Sequence, residues 1–220
     1  MRFFDLTDDA ASPVTHDLGD AELIEIPGAF NTRDADHYLA ALTIGLPWEQ
    51  KTVRIAGRTM PTPRLQCWFG DKEAVYGYSG IRLTPLPWSD LLLEIKSRVE
   101  QVCDQRFNSM LANYYRDGRD SVSWHSDNEA GLGSEPVIAS LSLGAERRFD
   151  IKPKRGTVTE RRSLQLAHGS LLIMGPTMQH HWLHQIPKTK QETGPRINLT
   201  FRLVLPGGQN QPRGRQTAAS

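Results

Sequence analysis

Past residue 107 the chain breaks into short apolar or alternating segments separated by glycine and proline, and this constrains the fold more than any other feature. The segments are Phe107–Tyr115, Val137–Leu143, Arg148–Ile151, Leu164–Leu166, Ser170–Met174, His181–Ile186 and Arg196–Val204. Each is of strand length, and the residues between them have turn chemistry. Earlier strand candidates are Glu22–Ile26, Thr52–Ile55 and Leu65–Phe69. Two amphipathic helices stand among these. One follows a cap at Thr32 and puts Tyr38, Leu39 and Leu42 along one face. The other follows Pro87, with Ser89 as cap and Leu92, Ile95, Val99, Val102 and Cys103 at three- and four-residue spacing. Helices first and many short strands afterwards predict a mainly β, α+β domain: an antiparallel sandwich or barrel braced by N-terminal helices.

At 220 residues there is room for one medium domain, and 38 % hydrophobic against 23 % charged residues supports a packed core. Residues 1–20 are acidic and weakly patterned, so they read as a loose lead-in to a single domain over 21–205. Residues 206–220 are rich in Gly, Pro, Gln and Arg without apolar periodicity and read as a disordered tail. No apolar run approaches the ~20 residues that span a bilayer. Asp5, Asp8 and Asp9 interrupt the N-terminus too early for a secretory signal. A monomer in the cytoplasm (or the nucleus of a eukaryote), with no membrane partner, is expected. Cys67 and Cys103 form no C-x-x-C, which removes a disulfide scaffold and a zinc knuckle.

Net charge is only +1, but residues 147–162 hold seven basic side chains (Arg147, Arg148, Lys152, Lys154, Arg155, Arg161, Arg162) against Asp150 and Glu160. That local +5 fits either a solvated hairpin or a phosphate-binding ridge.

The last segment is two-faced. Ile197, Leu199, Phe201 and Leu203 share one side, and Arg196, Asn198, Thr200 and Arg202 the other. Phe107–Tyr115 repeats the habit with Leu111, Asn113 and Tyr115 on a common face. Such a face ordinarily meets water. Two of them could instead line a polar barrel interior, where buried donors need an acidic ligand such as a dicarboxylate.

Trp124-His125-Ser126-Asp127 contains a His-x-Asp, and on an extended strand positions i and i+2 point the same way. His180, His181 and His184 offer a third ligand on a later strand. Two imidazoles and one carboxylate with open positions suit non-haem Fe(II). A zinc hydrolase uses similar ligands, but no H-E-x-x-H is present.

Taken together, the motifs resemble the AlkB family of Fe(II)/2-oxoglutarate-dependent dioxygenases, particularly the animal homologues that repair alkylated DNA and RNA. The similarity runs from about Pro47 to Val204. It rests on P-R-L-x-x-W-[YF]-G at Pro63–Gly70, Y-x-[YF]-S at Tyr76–Ser79, N-x-Y-x-D at Asn113–Asp117 and W-H-S-D-x-E at Trp124–Glu129. It continues through I-A-S-L-S-x-G-A at Ile138–Ala145, H-G-S-L-L-x-M at His168–Met174 and P-R-x-N-L-T-F-R at Pro195–Arg202.

The resemblance implies a double-stranded β-helix (jelly roll) over 107–205, with nucleotide recognition and helical support over 21–106. It implies that His125, Asp127 and His184 bind Fe(II), His184 being chosen because the family's ligand follows H-W-[LY]. It assigns Arg196, Asn113 and Tyr115 to the distal carboxylate of 2-oxoglutarate, with Asn198 supporting them and Arg202 nearer the metal. Tyr78 would stack on the target base, Tyr76 would touch the substrate, and Glu129 would meet the base's exocyclic amino edge. His168 reads as a turn-shaping residue, and His180 and His181 as structural or surface groups.

The implied activity is oxidative demethylation of N-alkylated bases with O2 as co-substrate, 1-methyladenine and 3-methylcytosine being the implied lesions. Hydroxylation of the N-methyl group gives a hemiaminal that releases formaldehyde, beside succinate and CO2. Single-stranded DNA is the favoured substrate and RNA a further one. The alternatives are the same chemistry on RNA or a protein side chain, or a silent nucleic-acid-binding module.

Overall fold

Residues 196–202 form the strand around which the molecule is organised, and neither of its faces meets water. The computed structural model describes residues 12–55, 57–74, 76–78, 81–155 and 161–205. In chain order the elements are β1 (Val14–Asp17), β2 (Glu22–Ile26), α1 (Thr32–Gly45), β3 (Thr52–Ile55), β4 (Arg58–Pro61) and β5 (Leu65–Gly70). Then come β6 (Tyr76–Tyr78), β7 (Ile81–Leu83), α2 (Asp90–Cys103), β8 (Ser109–Tyr115), β9 (Val122–His125), β10 (Ile138–Gly144) and β11 (Arg147–Pro153). The chain continues with β12 (Arg162–Leu166), β13 (Leu171–Met174), α3 (Pro176–His181), β14 (Trp182–Ile186) and β15 (Arg196–Arg202).

Seven strands make the larger sheet in the order β1-β2-β13-β10-β15-β8-β5, and four make the smaller in the order β12-β11-β14-β9. All their pairings are antiparallel. Two cores follow. Ile197, Leu199 and Phe201 of β15 pack with Leu141, Met110 and Ala112 against Tyr38 and Leu42 of α1 and Leu92, Ile95 and Val99 of α2. Between the sheets, Leu23, Ile138, Leu172 and Tyr115 meet Phe149, Ile151, Trp182 and Ile186. The helices therefore cover the outer face of the larger sheet, and the polar face of β15 turns into the space between sheets. Burial of Arg196, Asn198, Thr200 and Arg202 rules out the ordinary case of a strand with one wet side. This is the helix-braced jelly roll that the sequence predicts.

Several local expectations are corrected. Val14–Asp17, within the stretch expected to be a loose lead-in, is a strand that pairs with β2. Pairing with an existing edge needs only backbone groups, so its weak side-chain pattern does not prevent it. Helix α1 is capped by Asn31, whose side chain accepts from the Asp34 N–H at 2.9 Å, and Thr32 is already helical. Ser89 caps α2 as expected. His180 and His181 end α3 rather than lying on a strand, because Pro176 starts a short helix that runs into β14. The C-terminal segment 206–220 lies outside the described residues.

Candidate metal and co-substrate site

The smaller sheet brings two imidazoles together by register. His184 of β14 pairs with His125 of β9, and their ring centroids are 4.2 Å apart in a T-shaped arrangement. β9 ends at His125. Asp127 therefore lies beyond the strand, and the expected alternation along one strand is not what aims it. Ligand atoms of His125, Asp127 and His184 nevertheless lie within 4.8 Å of one another, with Asp127 and His184 buried and His125 half-buried. His125 Nδ1 stands 2.8 Å from the Ser123 carbonyl, so it carries the proton and donates, and Nε2 is left for a metal. Phe149 stacks on the His184 ring with centroids 5.3 Å apart.

The charge states suit a cation. Burial alone would raise the Asp127 pKa, but the Arg202 guanidinium and the two imidazoles hold it down to about 2. Arg202 Nη2 donates to Asp127 Oδ1 at 3.0 Å, which leaves the other carboxylate oxygen for a ligand bond. Burial, then the neighbouring His125, pushes His184 down to about 3, so its imidazole is neutral at ordinary pH. Two imidazoles, that of His184 kept neutral by burial, and one ionised carboxylate form the donor set that Fe(II) takes in the facial triad.

The other end of the barrel is cationic. Arg196 is 1 % exposed, and burial lowers its pKa to about 10. Its Nη2 donates to Ser142 Oγ at 2.9 Å and Tyr115 also bonds the guanidinium, which leaves this buried five-donor group with N–H groups to spare. Tyr115 faces Arg196 across the β8–β15 ladder, and the guanidinium lies 5.3 Å from its ring centroid. A buried guanidinium with spare N–H donors and no carboxylate of its own fits an incoming anion such as a carboxylate.

Asn113 is aimed by two residues to which the sequence reading assigns no role. Its Oδ1 accepts from Arg64 Nε at 2.8 Å and from Gln66 Nε2 at 2.9 Å. With the carbonyl doubly used, the NH2 donors of Asn113 are the groups available to a ligand. Asn198 stands opposite Asn113 in the β8–β15 ladder. It donates to Ser140 Oγ and the Leu141 carbonyl and accepts from Thr200, so its amide is spent on the sheet.

The basic stretch does not form a uniform ridge. Arg147 is buried beside Tyr115 and donates to the carbonyls of Asp117, Asp120 and Pro187, clamping the loops behind the cationic end. Gly118 in one of these loops is so close to the other that a Cβ there would sit 2.6 Å from the Thr189 carbonyl oxygen. Arg148 pairs with Asp150, and Arg162 donates to the Asp17 carbonyl. Lys152 and Arg161 lie over the ring of Trp124 at 4.5 and 5.7 Å.

Glu129 sits at the start of a single 3-10 turn (Ala130–Leu132), and its Oε2 is buried with no partner. The side chains of Tyr76 and Tyr78, on β6, lie outside the described residues. His168 Nδ1 accepts from the Gly144 N–H at 2.8 Å, which pins the turn after β10. His180 contacts the Ser134 carbonyl and His181 contacts Asp20, and neither joins the triad. Gln179 also reaches the site, accepting the Asp127 N–H, and like Arg64 and Gln66 it has no local spacing that marks it.

Residues 22–202 match the family model described as the 2OG-Fe(II) oxygenase superfamily. The mouse protein named alpha-ketoglutarate-dependent dioxygenase alkB homolog 3 is 44 % identical over 195 residues, covering 85 % of this chain and 68 % of that protein. The mouse DNA oxidative demethylase ALKBH2 is 44 % identical over 161 residues, covering 70 % of this chain and 67 % of that protein. Among solved structures, that of OsALKBH1 aligns with a TM-score of 0.58 at 15 % identity, covering 86 % of this chain and 100 % of that one. That likeness concerns the fold alone.

Proposed function

This chain belongs to the 2OG-Fe(II) oxygenase superfamily, among the AlkB homologues, and from that premise we propose that it demethylates N-alkylated bases in nucleic acid. The observation that carries the proposal is the pairing of two ends within one barrel: the His125–Asp127–His184 triad and the fully buried Arg196 guanidinium. In this reading residues 21–205 form the catalytic domain. With Fe(II), 2-oxoglutarate and O2 bound, the family's chemistry supplies oxidation of an N-methyl carbon to formaldehyde, coupled to decarboxylation of 2-oxoglutarate to succinate and CO2.

The protein's own groups set up that reaction. His125 Nε2, one Asp127 oxygen and His184 would hold the iron. Arg202 keeps Asp127 ionised and oriented. Arg196 would take the distal carboxylate of the co-substrate through its remaining N–H groups, with Asn113 and Tyr115 donating beside it. The Arg147 and Arg196 guanidinium groups beside the Tyr115 ring keep this end positive, which would align a dicarboxylate with its keto acid toward the metal.

Glu129 sets the lesion. Its buried, unpartnered oxygen is a costly group unless a donor or a positive charge meets it. Methylation at N1 of adenine or N3 of cytosine adds positive charge to the base, and both bases carry an exocyclic amino donor. Tyr76 and Tyr78 would hold the base from β6. The strand preference follows from the β3–β4 hairpin, which pairs up to Ile55 opposite Arg58 and turns through Gly57 at φ +80°. No large aromatic stands at that tip to replace an extruded base in a duplex. Single-stranded DNA is therefore the favoured substrate, with RNA a further one.

The test is succinate and formaldehyde release from oligonucleotides carrying 1-methyladenine or 3-methylcytosine, single-stranded or duplex, DNA or RNA, at matched salt, beside methylated peptides. Release from the single strands ahead of the duplex is expected. Turnover of the peptides alone would overturn the nucleic-acid reading, and equal or faster duplex repair would overturn the strand preference.

A further inference from the structure

Asp127 has a difficulty that the other two ligands lack. His125 and His184 are held by the β9–β14 ladder, but β9 stops at His125, so the Asp127 backbone N–H has no strand partner. Asp127 is also 5 % exposed, so water does not readily supply one. The acceptor comes from α3: Gln179 Oε1 receives the Asp127 N–H at 2.8 Å.

Gln179 is itself completely buried. Its amide has one usable orientation, because the Asp127 N–H can only donate. Oε1 must face Asp127, and Nε2 then points at Met174 Sδ, 3.5 Å away. Its backbone carbonyl accepts from Lys154 Nζ at 2.6 Å, which ties α3 to the segment after β11. Three residues after Gln179 the chain enters β14, which carries His184. The side chain therefore joins the two ligand-bearing segments that are far apart in sequence.

From this we infer that Gln179 is a positioning residue for the metal centre, fixing the Asp127 backbone so that its carboxylate meets the two imidazoles. The inference rests on the metal site proposed above. Arg202 orients the carboxylate from the side chain, and Gln179 holds the main chain that carries it. Both are needed because Asp127 stands on a loop, where backbone torsions would otherwise vary. Groups supporting a ligand in this way change metal affinity by about 10–100-fold when removed.

The experiment is Co(II) titration of the metal-free protein, followed by the visible d–d band, with apo-protein Tm measured alongside. Gln179→Leu is expected to weaken Co(II) binding by about 10–100-fold and to alter the band. Met174→Leu, which disturbs the same packing without touching Asp127, should lower Tm yet leave affinity within about twofold. Should Gln179→Leu fail to fold, Gln179→Met keeps the length and carries the same expectation. Wild-type affinity and spectrum in the Gln179 variant, or equal weakening in Met174→Leu, would overturn the inference. Wild-type protein and Asp127→Ala run in the same titration separate this from the site itself. If the wild type does not bind, or Asp127→Ala binds equally well, the metal site falls and the inference with it.

Discussion

The two ends of the barrel are built by different means. The anion end is made inside a sheet: Gln66, Asn113 and Asn198 are neighbours across β5, β8 and β15, and Tyr115 and Arg196 are partners in the adjoining register. The metal end stands at a sheet edge, where β9 is the last strand and one ligand lies past its end. Their electrostatics are opposed as well. Arg196 and Arg147 are buried cations without a carboxylate of their own, whereas Asp127 is an anion held down by Arg202 and two imidazoles. Register fixes the backbone that carries each group, whereas on a loop the backbone itself needs side-chain bonds to hold it. The anion end should therefore fail through lost ligand contacts, and the metal end through lost geometry.

The sharpest break should come from Asp127→Ala, which removes a ligand and the carboxylate that pairs with Arg202. Turnover and Co(II) binding should vanish, and Tm should fall as well, since breaking a buried ion pair by removing one partner is destabilising. Asp127→Asn, which keeps an acceptor for Arg202, should lose most metal binding with a smaller loss of Tm. Circular-dichroism melts beside formaldehyde assays check both.

At the opposite end, Arg196→Lys replaces the fork with a point charge. Loss of a charged hydrogen bond costs about 1.5–3 kcal/mol, so the KM for 2-oxoglutarate should rise roughly ten- to a hundredfold while Co(II) affinity stays unchanged. A parallel fall in Co(II) affinity would erase the distinction between the ends.

A third expectation concerns pH in the metal-free protein. The unfolded chain protonates His184 near the ordinary 6.5, but the folded chain holds it neutral down to about 3. The unfolded state thus binds more protons in that window, and stability falls as pH falls. Asp127, depressed from 3.8 to about 2, acts in the same direction, its contribution being lost between those values. From pH 7 to pH 5 the His184 contribution is about 2 kcal/mol, or roughly 4–8 °C in Tm. A His184→Leu variant should show a flatter pH profile of Tm, and bound Co(II) should flatten it in the wild type.

The smallest effect should come from Gln66→Leu. One of two donors to Asn113 Oδ1 is lost, worth about 1 kcal/mol, and the KM for 2-oxoglutarate should rise about fivefold with kcat unchanged. An unchanged KM would show that Arg64 aims the amide alone.

Much of this was legible beforehand where chemistry is local. The Ser89 cap, the apolar stripe of α2 and the two faces of β15 follow from spacing within a few residues. Arg196, Asn113 and the His-x-Asp could be nominated from residue type, and the motif resemblance separated His184 from His180 and His181. Asn31 as the true cap of α1 was missed because Asn and Thr compete at adjacent positions and both are good caps. The basic run was misleading in a different way. Alternation along β11 sends Arg147 inward and Arg148 outward, and a count of charges does not distinguish them.

By itself the sequence determined which residues could do the chemistry and which faces they share, because side-chain type and the periods of helix and strand are properties of neighbouring residues. Tertiary structure alone decided the rest. The β9–β14 register sets His184 beside His125, Arg64 and Gln66 aim Asn113, and Gln179 holds Asp127. Each of these is a contact between residues more than forty positions apart, made only when the sheets close. A hydrogen bond acts through ångströms in space, and no periodicity along the chain records which distant donor will arrive there.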